Sequence, residues 1–358
     1  MKKTLLLLLT LALGLSLCGC GKAASPAPAA ETRQFTDDCG RTVELPAELR
    51  RVSPSGAVAN MLLAAAAPER MVSLSDTLTE SQTPYLPAEL ASLPVTGSLY
   101  GGKGDANLEA ILAAAPQLII DMGDLRDSTA ASLDALQTQT GIPCVFLRSD
   151  LPHMAAAFRS LGLLLPENAE RCAELADYAE ETVALANETA ARIPEERKLR
   201  VIYTSGADGL SANARGSTQA QVIELVGGIN AVELPEISQK NGGSLLNFEQ
   251  LYLFDPDVIL FAPGSIYESV SADPAWAELD AIRSGRYYRV PGAPYNWLSM
   301  PPSMNMLPGI RWLGRLLYPD YYDLDPVSET QRAFRLLWNY DLSAEAAEAL
   351  LADSLPEQ

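Results

Sequence analysis

NLEAILAAAPQLIID at 107–121 and NFEQLYLFDPDVILF at 247–261 state one local design twice, 140 residues apart. Each opens on Asn, carries Glu at the third position, keeps apolar residues through two helical turns, reaches Pro116 or Pro256 at the tenth position and ends in an apolar run. The opening Asn caps a helix, because its side-chain oxygen accepts from a free N–H of the first turn. A glutamate in that turn sits against the positive end of the helix dipole. Proline cannot continue the helix, and the apolar run after it has the length of a strand. The spacing predicts a helix–strand unit in each half of the chain, and so two architecturally equivalent lobes.

Around these two units, short apolar runs at 70–74, 118–121, 145–147, 200–203, 258–262 and 287–290 alternate with amphipathic stretches. That alternation predicts an α/β fold with parallel-sheet cores. Residues 34–45, QFTDDCGRTVEL, alternate apolar and polar around a turn-rich centre and predict a β-hairpin. Residues 167–198 are rich in Ala, Glu and Leu, with Cys172, Leu175, Ala176, Ala179, Val183 and Ala186 at spacings of three and four. They predict one long rigid helix of about 45 Å. Without heptads of large residues it reads as a spacer between an N-terminal lobe, 34–166, and a C-terminal lobe, 199–358, rather than as a coiled-coil arm.

The chain starts with Lys2 and Lys3 and an apolar stretch at 4–17, too short to span a bilayer comfortably. Residues 1–19 therefore read as an export signal. Leu17-Cys18-Gly19-Cys20 looks like a lipobox with Cys20 as the lipidated residue, and 20–33 read as a flexible linker holding a domain off a membrane. The protein is expected outside the cytoplasm, lipid-anchored to a bacterial cell membrane. Cys39, Cys144 and Cys172 are then an odd remainder and form no disulfide framework. The formal charge is −19, and loss of Lys2 and Lys3 makes the mature chain more negative still. Such a polyanion attracts neither nucleic acid nor acidic headgroups. Neither GxSxG nor a phosphate-binding glycine loop is present, and His153 is the single histidine, which argues against an enzyme and against a bare-metal site built from several imidazoles.

Taken in order, DDCGRTVELP at 37–46, the two N-x-E units, Gly227-Gly228-Ile229-Asn230, DPAWAELDAIRSGRYYRVPG at 273–292 and WLGRLLYPDYY at 312–322 resemble the class III periplasmic binding proteins. These capture vitamin B12, ferric siderophores or haem for ABC importers. The resemblance runs from Phe35 to Leu351. It implies two Rossmann-like lobes joined by one long helix, a ligand cleft between them, and little closure on binding. It also implies that one glutamate on each lobe, Glu109 and Glu249 by motif position, docks onto a permease dimer.

Ligand contacts are expected in loops at the carboxyl ends of the strands. The candidates are Ser55, Tyr100, Arg215, Tyr267, Tyr295 and Trp297, the rings to face a flat chelate and the arginine to meet a carboxylate or catecholate. Each ring has packing within its own lobe as its plain alternative. Met300, Met304 and Met306 read as gap fillers before axial ligands, and His153 as a loop residue. A ferric siderophore is the first expected ligand, then haem or a corrinoid, then another chelate or an oxyanion. No cofactor of the protein's own is expected, and a monomer is. A surface adhesion or sensing module of the same fold, or a cleft enzyme, are the competing readings.

Overall fold

The computed structural model describes residues 31–99, 106–238 and 242–356. The chain opens with an antiparallel hairpin, β1 (Thr32–Thr36) and β2 (Thr42–Pro46), in which Phe35 faces Val43. Strand β1 begins inside the segment expected as linker. Gly40, at φ +81, makes the turn. Buried Asp37 welds that turn to the first lobe, accepting from the N–H groups of Cys39, Arg41 and Phe146 at 3.2, 2.9 and 3.2 Å.

The first lobe is a parallel sheet in the order β3 (Val52–Pro54), β4 (Leu118–Gly123), β5 (Cys144–Arg148). Single parallel bridges, Val52 to Met71 and Leu74 to Val95, extend it beyond β3. Helices α1 (Ala57–Ala66), α2 (Leu108–Ala114), α3 (Thr129–Thr140) and α4 (Met154–Leu164) surround it. Helix α5 (Ala169–Ala190) follows.

The second lobe holds β6 (Arg200–Ser205), β7 (Ser211–Ala212), α6 (Gln221–Leu225), β8 (Ile229–Asn230), β9 (Ser244–Leu245), α7 (Phe248–Phe254), β10 (Val258–Phe261), α8 (Asp280–Arg283) and β11 (Tyr287–Arg289). Its core is parallel: β10 pairs with β11 and β6, and β6 with β8, while β7 and β9 add an antiparallel flank. Helices α9 (Met306–Leu317), α10 (Pro326–Trp338) and α11 (Ala344–Leu351) close the chain.

The repeated unit folds alike in both lobes. Asn107 accepts from the Ala110 N–H at 3.0 Å, and Asn247 from that of Gln250 at 2.9 Å. The residue before each proline, Ala115 or Asp255, is left-handed at φ 45 or 42. Strands β4 and β10 are each flanked by a parallel partner on both sides, which is why both read as apolar runs, interrupted in β4 by Asp121. Position for position, the pattern of buried, half-buried and exposed residues from 107 to 122 is repeated from 247 to 262.

Two expectations need correction. The helix expected over 167–198 covers Ala169–Ala190, about 33 Å, because Pro194 disfavours helix at the residue before it and the chain turns there. The C-terminal segment is also not confined to the second lobe. In α10 and just past it, Phe334 and Tyr340 enclose Tyr85 edge-on at 5.2 and 5.1 Å, and Arg171 of α5 donates to the Leu336 carbonyl. The main hydrophobic cluster runs from Val43 to Leu351 and takes in residues of both lobes, while smaller clusters around Phe261 and Trp276 and around Ile119 and Phe146 pack separately.

An ion network pins α5 to α9 and α10. Arg311, only 3% exposed, reaches Thr182 at 2.9 Å, Glu181 at 2.7 Å and Glu329 at 2.9 Å, and Arg332 also binds Glu181. The Tyr178 ring lies against both guanidinium groups, at 5.2 and 5.1 Å. Hydrogen bonds from Arg332 and Arg311 hold the Glu181 carboxyl down at about 2. A depressed carboxyl stabilises the fold above its ordinary pKa and loses that contribution as pH falls toward 2. Arg311→Met should cost about 3–5 kcal/mol, since Glu329 keeps its place without its cation. Urea denaturation measures it, and a loss below 1 kcal/mol would remove the network from the account of stability.

Candidate functional site

In open α/β sheets ligands bind beyond the carboxyl ends of the strands. In the first lobe those ends carry hydroxyls. Ser53 and Ser73 share a hydrogen bond of 2.6 Å, Thr96 donates to Ser73 at 3.3 Å, and Asn60 accepts from the Ser75 N–H at 3.2 Å. Ser55 is fixed on three sides. Its N–H donates to Ile120 at 3.0 Å, its carbonyl accepts from Leu99 at 2.7 Å, and its hydroxyl donates to Asp121.

Asp121 is the residue the sequence reading missed. It is 5% exposed on β4, at the place that Phe261 takes in the second lobe. Burial pushes its carboxyl up to about 6, against the lowering effect of the Ser55 hydroxyl and the Met122 N–H. A charged residue ending one apolar run where its twin has a ring was the available signal. The sign of its effect follows from the raised value. Between pH 4 and 6 the unfolded chain gives up this proton before the folded chain does, so stability falls across that window and is level above it. Asp121→Asn should abolish the slope and raise stability at pH 7.5 by about 2–3 kcal/mol. Denaturation at pH 4.5 and 7.5 checks this, and an unchanged difference between the two would refute it.

In the second lobe the loop after β11 folds inward instead of lying open. Asn296 donates to the Tyr203 hydroxyl at 2.9 Å and accepts from Leu298 and Ser299 at 2.9 and 3.2 Å. The Ser299 and Ser303 hydroxyls and the Asn305 side-chain amide oxygen are buried with no hydrogen-bond partner among the described residues. Such orphans mark a place where a water or a ligand atom completes the bonding.

The expected contact residues are scattered by comparison. Trp297 is 1% exposed and its indole N–H donates to the Ala293 carbonyl at 3.1 Å. Tyr295 is also buried, which raises its hydroxyl pKa. Both rings are in the lobe's core in this structure, not facing outward. Tyr267 packs on Phe261 and Tyr287 under the Arg289 guanidinium, in an aromatic cluster of its own lobe. Arg215 lines an open hollow of about 600 Å³ with Gly216, Glu224, Glu233 and Leu234. It is already engaged, by Glu233 at 2.7 Å and by the Asn230 carbonyl at 2.9 and 3.1 Å. Tyr100 and Cys20 lie outside the described residues.

His153 bonds Asp150 through Nδ1, and Met304 and Met306 are buried while Met300 is 38% exposed. Cys39, Cys144 and Cys172 are free thiols, pushed up to about 11, 12 and 11 by burial. Among the described residues no group of three or more His, Cys, Asp or Glu is placed to hold a metal ion, and no helix is long and apolar enough to cross a membrane.

Glu109 and Glu249 occupy the first turns of α2 and α7. Both are exposed, and neither has an ion-pair partner among the described residues. The short connections 115–117 and 255–257 join each helix to the strand that follows it, and each glutamate lies at the opposite end of its helix from that connection.

The family model described as periplasmic binding protein matches residues 52–294. The chain belongs to the periplasmic binding protein family. An ABC transporter solute-binding protein from Sulfurospirillum deleyianum is 27% identical, with a TM-score of 0.81 over 89% of this chain and 99% of that one. A periplasmic solute-binding protein from Veillonella parvula is 18% identical, with a TM-score of 0.75 over 90% and 98%. The molybdate-bound protein MolA of Haemophilus influenzae is 17% identical, with a TM-score of 0.68 over 87% and 99%. The last two show the fold alone, that of the class III periplasmic binding proteins. No curated protein matches the sequence.

Proposed function

We propose that this periplasmic binding protein is the lipid-anchored solute receptor of an ABC importer. In this reading Cys20 carries the lipid, the ligand enters between the two lobes, and Glu109 and Glu249 dock onto the permease dimer. The observation that carries it is the duplicated α2–β4 and α7–β10 surface, which repeats its exposure residue by residue across two lobes of different sequence. Core packing alone has no reason to reproduce an exposed acid at the same place twice.

The ligand in this reading is a small molecule that brings its own metal donors, a ferric siderophore first, then haem or a corrinoid. A single histidine, engaged by Asp150, supplies no set of imidazoles for a bare ion. Hydroxyls and amides dominate the described strand ends, and Arg215 is neutralised by Glu233, which favours a chelate of low net charge over a polyanion. Native mass spectrometry of the protein purified from its own cells would reveal a retained ligand. Tryptophan fluorescence titration should then give micromolar or tighter binding to one of ferric hydroxamate, ferric catecholate, haemin or cyanocobalamin. Tight binding of molybdate or of a bare ion, with none of a chelate, would replace this ligand class.

A further inference from the structure

We propose that the permease dimer grips this protein through two matched apolar plates, Leu112 on the first lobe and Tyr252 with Leu253 on the second, each beside a glutamate. This rests on the importer reading. Leu112 stands three residues after Glu109 and Tyr252 three after Glu249, a spacing that places each pair on one helix face. Leu112 is 50% exposed, Tyr252 40% and Leu253 81%.

Single exposed apolar residues are ordinary on protein surfaces. Here they recur at equivalent positions of a duplicated helix, next to the same acid, while the inward positions Ile111 and Ala114 on one helix and Leu251 and Phe254 on the other are buried. The Tyr252 ring is also held in place. Its hydroxyl donates to the Ala275 carbonyl at 2.8 Å and its ring centre lies 5.9 Å from that of Phe248, the two rings tilted by 35°. A fixed ring loses little freedom when a partner covers it.

A patch displayed twice fits a partner that offers the same socket twice, which is what a two-fold permease dimer does. The acid calls for a cation in each socket, and the neighbouring plate calls for an apolar rim that keeps water from that ion pair. The plates differ in size, because Ala113 stands where the second lobe has Leu253. The second lobe should accordingly hold the larger share of the contact.

The test uses the full-length lipoprotein in its own cells. A photo-cross-linking benzoylphenylalanine is placed at position 112, at 252, at the flanking positions 110 and 250, and at the exposed control Leu163, and captured proteins are identified by mass spectrometry. Positions 112 and 252 should capture one and the same ABC permease subunit, and 163 should not. With that permease in nanodiscs, Leu112→Ser should weaken docking about 10-fold at unchanged thermal midpoint, and Tyr252→Ser with Leu253→Ser about 100-fold with the native circular dichroism spectrum retained. Capture from 110 and 250 with unaltered affinity in the serine variants would overturn the plates and leave the glutamates standing. No permease captured from any of the four helix positions would overturn the plates and the importer reading together.

Discussion

The double charge reversal Glu109→Lys with Glu249→Lys should reduce delivery of ligand to the cytoplasm at least about 100-fold, while binding of the same ligand by the isolated protein stays within about twofold. Each substitution sets a cation against the cation expected in a permease socket, and like charges facing one another at a docked interface cost several kcal/mol. Neither glutamate is paired among the described residues, so no internal contact is broken. The plainer role for an acid in a helix's first turn is to face the dipole, worth about 0.3–1 kcal/mol. That role predicts a small loss of stability and normal uptake. Comparing Glu→Gln with Glu→Lys at both sites separates the two: an uptake defect confined to, or much deeper in, the lysine variant is a docking effect. Normal uptake by the double lysine variant, with the ligand still bound, would end the docking assignment.

A second large effect is expected at Gly309. A Cβ at this position would stand 1.9 Å from the Trp297 carbonyl oxygen and 2.9 Å from its carbon. Those are backbone atoms of a loop tied down by the Trp297 N–H to Pro291 and by the indole to Ala293, so they cannot step aside cheaply. Gly309→Ala should therefore cost about 3 kcal/mol or more, well beyond the usual penalty for overpacking by one methyl, although alanine is the better helix former. Gly264→Ala serves as a comparison, because a Cβ there meets nothing within 4 Å and only its φ of +77 opposes it. If Gly309→Ala unfolds at the same urea concentration as the parent, the loop after β11 is not clamped to α9 as described. The two orphaned hydroxyls and the Asn305 oxygen belong to this clamped region, so a smaller shift of the loop should also show as weaker ligand binding.

What could be read from the residues was local. Asn at the cap, Glu in the first turn and Pro after the last one act within a dozen residues, and both helix–strand units form as their sequence predicts. The hairpin around the DDCG turn is of the same kind. The length of α5 was misjudged because its composition stays favourable past Ala190, while one proline decides the end. The burial of Trp297 and Tyr295 carried no local mark, since it depends on how closely Gly309 lets a helix approach their loop. Asp121 stands openly at the end of an apolar run, but its meaning depends on a Ser55 hydroxyl brought from the loop after β3.

The return of α10 to the first lobe bears on how the protein is made. Among the described residues Tyr85 finds its aromatic neighbours in Phe334 and Tyr340, near the opposite end of the chain. A polypeptide synthesised amino terminus first presents the early half long before those rings arrive. The packing around Tyr85 must wait until the chain is nearly complete, and contacts so distant in sequence are slow to form.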